Sequence, residues 1–190
     1  KGSEDGIVRG LYRLRAPGKA KRGANPHQVT LLGSGAILRE VEAAATVLEA
    51  DFGVRADVWS ATSFNELRRD GLEAERWNRL HPAHKPRVSY VQQCLGGTDA
   101  TVVAATDYMA AYADQIRPWV QAPYVTLGTD GFGRSDTRAR LRAHFEVNAA
   151  HVAYAALHAL HVQGKVPARA LTQAARKLGV NPDAPPPARA

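Results

Sequence analysis

The sequence predicts a three-layer α/β domain, in which helices cover both faces of a mixed, mostly parallel sheet of about five strands. Short apolar runs alternate along the chain with longer segments whose apolar residues recur at helical spacing. Alternating strands and helices favour a parallel sheet with right-handed crossovers. With 190 residues, 45% of them hydrophobic, the chain is large enough to bury one such core.

The N-terminal part of the chain predicts an edge strand, then a strand and a helix. Residues 10–15 alternate polar and apolar side chains, and because no helix precedes the next strand, we expect an antiparallel edge strand. The Gly/Lys/Pro-rich segment after it has the composition of an exposed loop. Residues 29–32 are a buried strand, residues 33–35 turn the chain, and a helix follows over residues 36–51, with Gly53 as its C-terminal cap.

The pattern of a strand followed by a helix recurs three times. Residues 55–62 are the next strand, and Ser63 with Glu66 forms a Ser-x-x-Glu capping box that begins a helix, which we expect Gly71 to break or kink. The remaining predicted elements are a strand at 101–106, a helix toward Ile116, a strand at 124–127, a helix after Asp136, and helices at 149–163 and 168–178.

The two ends of the chain differ in composition from its middle. The chain opens on KGSEDGIVRG, which has neither an initiator Met nor the features of a signal peptide, so we expect a part of a longer protein. We expect residues 1–6 to be the end of an interdomain linker, residues 7–180 to form a single domain, and the proline-rich residues 181–190 to be a mobile tail.

Composition limits the classes of partner. The net charge of +7 raises nucleic acid as a candidate, but the cations are scattered among acids, so we do not expect nucleic-acid binding. No apolar run approaches the length of a membrane helix, and we expect no membrane partner. Cys94 is the single cysteine, which excludes an internal disulfide and fits a cytoplasmic location.

Small and polar residues follow each predicted parallel strand. In open α/β sheets, ligands or partners usually bind in the crevice outside the carboxyl ends of the strands. We therefore expect the working surface of the domain at this side of the sheet, which we call the carboxyl edge. The four clusters are residues 33–35, 62–63, 106–107 and 128–130.

The richest of these clusters lies in the stretch LGTDGFGRSDTRARLRAHFEV, residues 127–147. Its glycines allow positive φ angles, and Ser135 or Asp136 can cap the following helix. Three arginines with fourfold spacing share one face of that helix and its approach, where they could hold a phosphate or carboxylate. They are Arg134, Arg138 and Arg142.

An ordinary structural interpretation of the same stretch remains open. Leu141 and Phe145 have the spacing of a buried stripe on an amphipathic helix. The arginines are then solvated, or paired with acids of a neighbouring domain.

The stretch LLGSGAIL resembles part of a dinucleotide-binding fingerprint. Gly33 and Gly35 follow a strand and open a helix whose N-terminal amides could bind phosphate. The third glycine is replaced by Leu38, and Asp57 falls inside the next strand instead of at its end. A tight turn between strand and helix is the main alternative to nucleotide binding.

Histidines suggest a metal site, but the sequence nominates no complete set of ligands. His151, His158 and His161 share a helix face with Tyr154, and a second pair flanks residues 82–83. A face toward solvent or a partner is the alternative. No nucleophile motif appears, since Cys94 has no histidine near it in sequence and no Gly-x-Ser-x-Gly stretch occurs.

Several stretches together resemble the C-terminal domains of the homodimeric bacterial pyruvate dehydrogenases. The resemblance runs in order from about Gly6 to the end of the chain, and the fold it implies is that of a transketolase-type C-terminal domain. The stretches are VTLLGSGAILREV, DVWSATSFNELRRDG, ERWNRLHP, ATDYM and LGTDGFGRSDTR followed by HFEV.

This resemblance implies an enzyme that decarboxylates pyruvate on thiamine diphosphate with Mg²⁺ and transfers the acetyl unit to the lipoyl group of an acyltransferase. In that family the cofactor and catalytic residues belong to the N-terminal and middle domains, so we assign no catalytic, cofactor-binding or metal residue here and expect the chain alone to be inactive. The implied partners are a second subunit, forming a homodimer, and the dihydrolipoyl acyltransferase of the complex.

For the loop in the opening part of residues 127–147, the resemblance suggests an interface. We expect a structural loop that faces another domain or the other subunit and takes no part in the chemistry; its residues are Asp130, Phe132, Arg134, Ser135 and Asp136. Phe132 between two glycines would be an anchor in a neighbour's pocket. The alternatives are a module that docks the acyltransferase, or an independent nucleotide-binding domain.

Overall fold

The computed structural model describes residues 3–18 and 27–189 and contains one five-stranded sheet. The strands are β1 (Leu11–Arg15), β2 (Gln28–Gly33), β3 (Arg55–Ala61), β4 (Thr101–Ala105) and β5 (Tyr124–Leu127). Their order in the sheet is β1-β3-β2-β4-β5, with β1 antiparallel to β3 and all other pairs parallel. The predicted mixed sheet is confirmed, including the antiparallel edge strand. The loop predicted after β1 falls largely outside the described residues.

Eight helices surround the sheet in the described part of the chain. They are α1 (Glu4–Arg9), α2 (Leu38–Asp51), α3 (Phe64–Leu80), α4 (Tyr90–Leu95), α5 (Ala110–Asp114), α6 (Arg138–His144), α7 (Ala149–Val162) and α8 (Ala168–Leu178). Helices α2, α7 and α8 share a hydrophobic cluster on one face of the sheet, and α3, α4 and α5 share a second cluster on the other face. The arrangement is therefore the predicted three-layer α/β fold. Among the described residues no helix is both long enough and apolar enough to cross a membrane.

The central strands are apolar because both of their faces are covered. Val29 and Leu31 of β2 belong to the cluster under α2 and α7, while Leu32 belongs to the cluster under α3. All five residues of β4 are buried. Continuous apolar runs are typical of parallel strands buried on both faces, which is why these strands were predictable from sequence.

Two predicted helix caps are seen, one of them in part. Gly53 has a φ of 65° and the amide of Val54 donates to the carbonyl of Leu48 at 3.0 Å, which closes the C-terminus of α2. The hydroxyl of Ser63 accepts from the amide of Glu66 at 3.1 Å at the start of α3. The Glu66 carboxylate pairs with Arg69 at 2.9 Å instead of completing the predicted capping box.

The prediction that Gly71 breaks or kinks a helix is wrong as to the break, because α3 runs without interruption from Phe64 to Leu80. The indole ring of Trp119 lies directly against Gly71, and a Cβ at this position would come within 2.6 Å of its Cζ2 atom. The indole nitrogen donates to Glu75, one turn further along α3, at 2.9 Å. Glycine is therefore present to admit the ring and not to end the helix.

Gly71→Ala is expected to lower the free energy of unfolding by about 1 kcal/mol, because overpacking against the buried ring costs about 1–3 kcal/mol and alanine's better helix propensity returns up to about 1 kcal/mol. Urea titration would measure the loss. In a Trp119→Leu background the clash is relieved, so there Gly71→Ala should be neutral or stabilising. A loss of equal size in both backgrounds would contradict this account.

Two short helices were not predicted. Helix α4 has a complete capping box, in which Ser89 and Gln92 exchange hydrogen bonds, so the Ser-x-x-Gln spacing was a readable signal. Helix α1 begins in residues 1–6, which were expected to end a linker, and continues into the predicted domain as far as Arg9. The helix predicted toward Ile116 ends earlier, at Asp114, and a 3₁₀ turn follows at Arg117–Trp119.

Candidate interaction surface at the carboxyl edge

The polar clusters after β2, β4 and β5 meet at one side of the sheet, as the strand pattern predicts. The amide of Ser34 donates to the carbonyl of Ala105 at 3.1 Å, and the amide of Thr106 donates to the carbonyl of Leu127 at 3.1 Å. These bonds continue the parallel ladder one residue beyond each strand. The loops that leave the strands therefore start side by side.

Loop 128–130 is fastened to the loop that precedes α5. Thr129 donates from its amide to the carbonyl of Tyr108 and from its hydroxyl to the carbonyl of Asp107, both at 2.8 Å. The Asp130 carboxylate accepts from the amide of Ala110 at 3.0 Å. Asp130 thus holds the first turn of α5 and is committed to a contact inside the domain.

The other four predicted loop residues differ in their contacts. Phe132 is 81% exposed. Arg134 and Ser135 are exposed and make no hydrogen bond or ion pair with the described residues. Asp136 accepts from the amide of Thr137 at 2.6 Å and lies 3.8 Å from the guanidinium of Arg140.

Neither Ser135 nor Asp136 caps α6, which corrects the prediction from sequence. Thr137 is the N-cap residue, and its hydroxyl accepts from the amide of Arg140 at 3.4 Å. All three residues have side chains suited to an N-cap, so the sequence alone could not choose among them.

The three arginines with fourfold spacing do not form one anion site. The guanidinium of Arg142 donates to Glu40 Oε1 at 2.7 Å, and Oε2 of the same carboxylate accepts from the amide of Ala149 at the start of α7. Glu40 therefore ties α2 to both α6 and α7. Arg138, like Arg134, is exposed and has no ion-pair partner among the described residues.

A cleft of about 530 Å³ opens at this edge. Ile37, Leu141, Phe145 and Val147 form its apolar floor. Leu141 and Phe145, which were expected to be buried, are half-buried because they line this cleft. The polar side chains around it are Asp107, Thr129, Arg134, Arg138 and Arg142, and Phe132 stands at the same opening.

Three exposed apolar or aromatic side chains lie on the two loops that Thr129 joins. Tyr108 and Met109 precede α5, and each exposes more than half of its surface, as Phe132 does on the neighbouring loop. Tyr108 stacks on Tyr112 with ring centroids 4.8 Å apart. We call Tyr108, Met109 and Phe132 the apolar rim.

The C-terminal segment also reaches this edge. A Cβ at Gly131, where φ is 120°, would come within 2.6 Å of the carbonyl oxygen of Pro187. The 3₁₀ turn Pro187–Arg189 therefore packs on the loop that carries Phe132. Sequence reasoning missed this contact, because proline-rich composition gives no indication of a docking position.

Packing accounts for the residues that resemble a dinucleotide fingerprint. A Cβ at Gly33 would come within 2.7 Å of Leu38, so this glycine lets α2 approach the sheet. Gly35 has a φ of 55° and lies against the carboxylate of Asp107. Asp57 receives two hydrogen bonds from Arg13, at 2.8 and 2.6 Å, within the sheet.

Three of the histidines make local contacts. His151 Nδ1 lies 2.7 Å from Asn148 Oδ1, and His161 Nδ1 lies 2.7 Å from the carbonyl of Val166. Burial lowers the pKa of His151, against an opposing influence of Glu146. His81 stacks on Trp77 with centroids 4.6 Å apart. Within residues 3–18 and 27–189, no three His, Cys, Asp or Glu side chains come together in a group able to hold a metal ion.

Comparison with known protein families identifies the family of this chain. Residues 10–148 match the family described as "Transketolase-like TK C-terminal domain". The chain belongs to this family. A solved "Split gene transketolase, inactive beta4 tetramer" is similar over 80% of this chain and 43% of its own chain, with a TM-score of 0.50 and 21% identity, which supports the fold alone.

Curated relatives of this transketolase-like domain are longer proteins. The "Pyruvate dehydrogenase E1 component" of Pseudomonas aeruginosa is 55% identical over 184 residues, and that of Escherichia coli (strain K12) is 48% identical over 183 residues. Each match covers 96% of this chain and 20% of the relative. The chain thus spans about a fifth of the length of these relatives.

Proposed function

We propose that this domain is the C-terminal part of a pyruvate dehydrogenase E1 component, in which it has a structural role. The observation that carries the proposal is the 55% identity with such a component along 96% of the chain. The whole enzyme would decarboxylate pyruvate on thiamine diphosphate and reductively acetylate the lipoyl group of the acyltransferase. Residues 7–180 would be the domain proper, and the enzyme would be a cytoplasmic homodimer that binds the acyltransferase.

The described residues do not fit a site for thiamine diphosphate and Mg²⁺. Magnesium held at a diphosphate requires oxygen ligands directed at one point. At the carboxyl edge the Asp130 carboxylate is engaged by the amide of Ala110, and within the described residues Asp107 belongs to no group of three His, Cys, Asp or Glu side chains. We therefore assign the cofactor to other parts of the enzyme and derive no catalytic step through this domain.

The structural role we propose is contact between the carboxyl edge and another domain or the other subunit. Isolated exposed apolar residues are ordinary on a protein surface, but the apolar rim places three of them on two adjoining loops beside an apolar cleft. Aromatic side chains that fill a neighbour's pocket are typical anchors of interfaces. Phe132 is the most exposed of the three.

Phe132→Ala in the full-length enzyme is expected to weaken dimerisation about tenfold, because truncating an aromatic anchor at an interface typically costs more than about 1 kcal/mol. Sedimentation over a range of enzyme concentrations would measure the dimer dissociation constant, and dialysis would measure the retention of thiamine diphosphate.

Val162→Ala is the matched control for this test. Val162 is 72% exposed and lies at the end of α7, beside Gln163, whose side chain contacts Thr101 at the start of β4. It therefore stands at the opposite side of the sheet, and its loss should leave the dimer unchanged. If Phe132→Ala left dimerisation, cofactor retention and activity at the level of the control, the proposed role of the carboxyl edge would be wrong.

A further inference from the structure

The cleft at the carboxyl edge has an apolar floor that its own domain covers only in part, because Leu141 and Phe145 are half-buried while Ile37 and Val147 are buried. Leu141 and Phe145 of the α6 segment face it from one side, and Ile37 and Val147 complete the floor. A concave apolar surface with a few polar groups at its margin is the usual form of a binding site.

The charged side chains around this floor differ in whether they already form ion pairs. Glu40 neutralises Arg142, and Asp136 lies beside Arg140. Arg134 and Arg138 have no acidic partner among the described residues, although both line the cleft. An occupant that brings a carboxylate to these two guanidinium groups would complete pairs that the domain leaves open.

One acid also lines the cleft. Asp107 stands against Gly35, and its carboxylate makes no hydrogen bond within the described part of the chain. It lines the same cleft as Arg134 and Arg138, so the occupant should also present an N–H or O–H donor to Asp107.

We propose that the cleft receives a polypeptide segment from the rest of the enzyme that places a carboxylate between Arg134 and Arg138 and an apolar side chain over Leu141 and Phe145. This inference rests on the proposed function and adds the chemistry of the contact. A small carboxylate ligand would satisfy the arginines but would leave the apolar rim exposed. A polypeptide covers both, and the relatives are about five times longer than this chain.

Photocrosslinking in the full-length enzyme tests the proposal. Phe132→p-benzoylphenylalanine places the probe at the mouth of the cleft, on a side chain exposed enough to tolerate it. Mass spectrometry of the crosslinked peptide should identify a segment with Asp or Glu within a few residues of an apolar side chain. Adding Arg134→Glu and Arg138→Glu should lower the crosslink yield about tenfold, because like charges placed in contact across an interface repel.

Arg140→Glu is the matched control, because Arg140 lies on the same helix but does not line the cleft. It should leave the yield within about twofold, as expected of an exposed charge outside the contact. Replacing the acid of the identified segment by Lys should restore the yield in the Arg134→Glu, Arg138→Glu enzyme.

Three outcomes would overturn the proposal: a crosslinked segment without an acid, a yield that the two reversals leave unchanged, or no crosslink to protein at all. The Phe132→Ala test separates this failure from that of the proposed function. In one combined result, Phe132→Ala weakens dimerisation or cofactor retention while Arg134→Glu and Arg138→Glu leave the crosslink yield unchanged. That result would support the interface and reject the acidic segment.

Discussion

Gly128→Ala is expected to destabilise the protein by about 3 kcal/mol, near the upper end of the cost of overpacking. A Cβ at this position would come within 2.6 Å of the Cα of Ala110 and of the carbonyl carbon of Met109, and closer still to the amide nitrogen of Ala110. These are backbone atoms at the start of α5, so no side-chain rotation can relieve the clash. The loop would have to move and lose the hydrogen bond between Asp130 and Ala110. Urea titration would measure the free energy of unfolding.

Gly133→Ala provides the control within the same loop. Nothing lies within 4 Å of a Cβ at Gly133, so alanine there should change stability by no more than about 0.5 kcal/mol. Equal effects of the two substitutions would show that the loop is not packed on α5. Because the fastened loop leads to Phe132, Gly128→Ala should also weaken the proposed interface.

Glu40→Ala is expected to cost about 2 kcal/mol, because it leaves a partly buried guanidinium and a backbone amide without their acceptor. Arg142 is only 22% exposed, and the Ala149 amide begins α7. A fully buried ion pair would predict a larger loss of stability. Because this pair is partly exposed to water, we expect a smaller one. Thermal or urea unfolding would measure the change.

Two further variants separate the contributions of Glu40. Glu40→Gln keeps an oxygen acceptor for one of the two donors, so it should lose less stability than Glu40→Ala. Arg142→Ala combined with Glu40→Ala should lower the free energy of unfolding by less than the sum of the single changes, because the double variant leaves neither charge of the pair without its partner. Strict additivity would mean that Glu40 and Arg142 do not interact.

Much of the fold was predictable from sequence because the spacing of apolar residues along these segments matches the faces that the fold buries. The apolar runs of β2 and β4 are strands buried on both faces, and β1, in which only Leu11 is buried, lies at the sheet edge as its sequence predicted. Helices α7 and α8 were predicted to within one residue, since their apolar residues recur at helical spacing along most of their length. In these segments the chain's own periodicity is sufficient to indicate the element.

The failures at Gly71 and at the α6 cap have different physical reasons. Gly71 is explained by Trp119, 48 positions away in sequence, and no local pattern reports that a ring packs on a helix. Ser135, Asp136 and Thr137 are adjacent residues with similar capping ability, so the chosen cap depends on how the loop approaches α6.

The location of the candidate site was predictable from the sequence, but the ion pairs and hydrogen bonds of its residues were not. Strand direction brings the polar clusters to one edge, which follows from alternating strands and helices alone. Arg134, Arg138 and Arg142 look equivalent in sequence, yet among the residues that the structure describes only Arg142 meets an acid, Glu40, across 102 positions. Asp130 was predicted to lie at an interface, and no sequence pattern indicated that it also holds the start of α5.

The sequence by itself determined the α/β class, the edge strand and the edge at which polar loops collect, because hydrophobic periodicity and turn residues are local properties of the chain. The tertiary structure alone decided which arginines lack an acidic partner among the described residues, and that the Pro187 segment lies against Gly131. Those outcomes depend on pairs of residues far apart in sequence, whose contacts arise only when the layers pack.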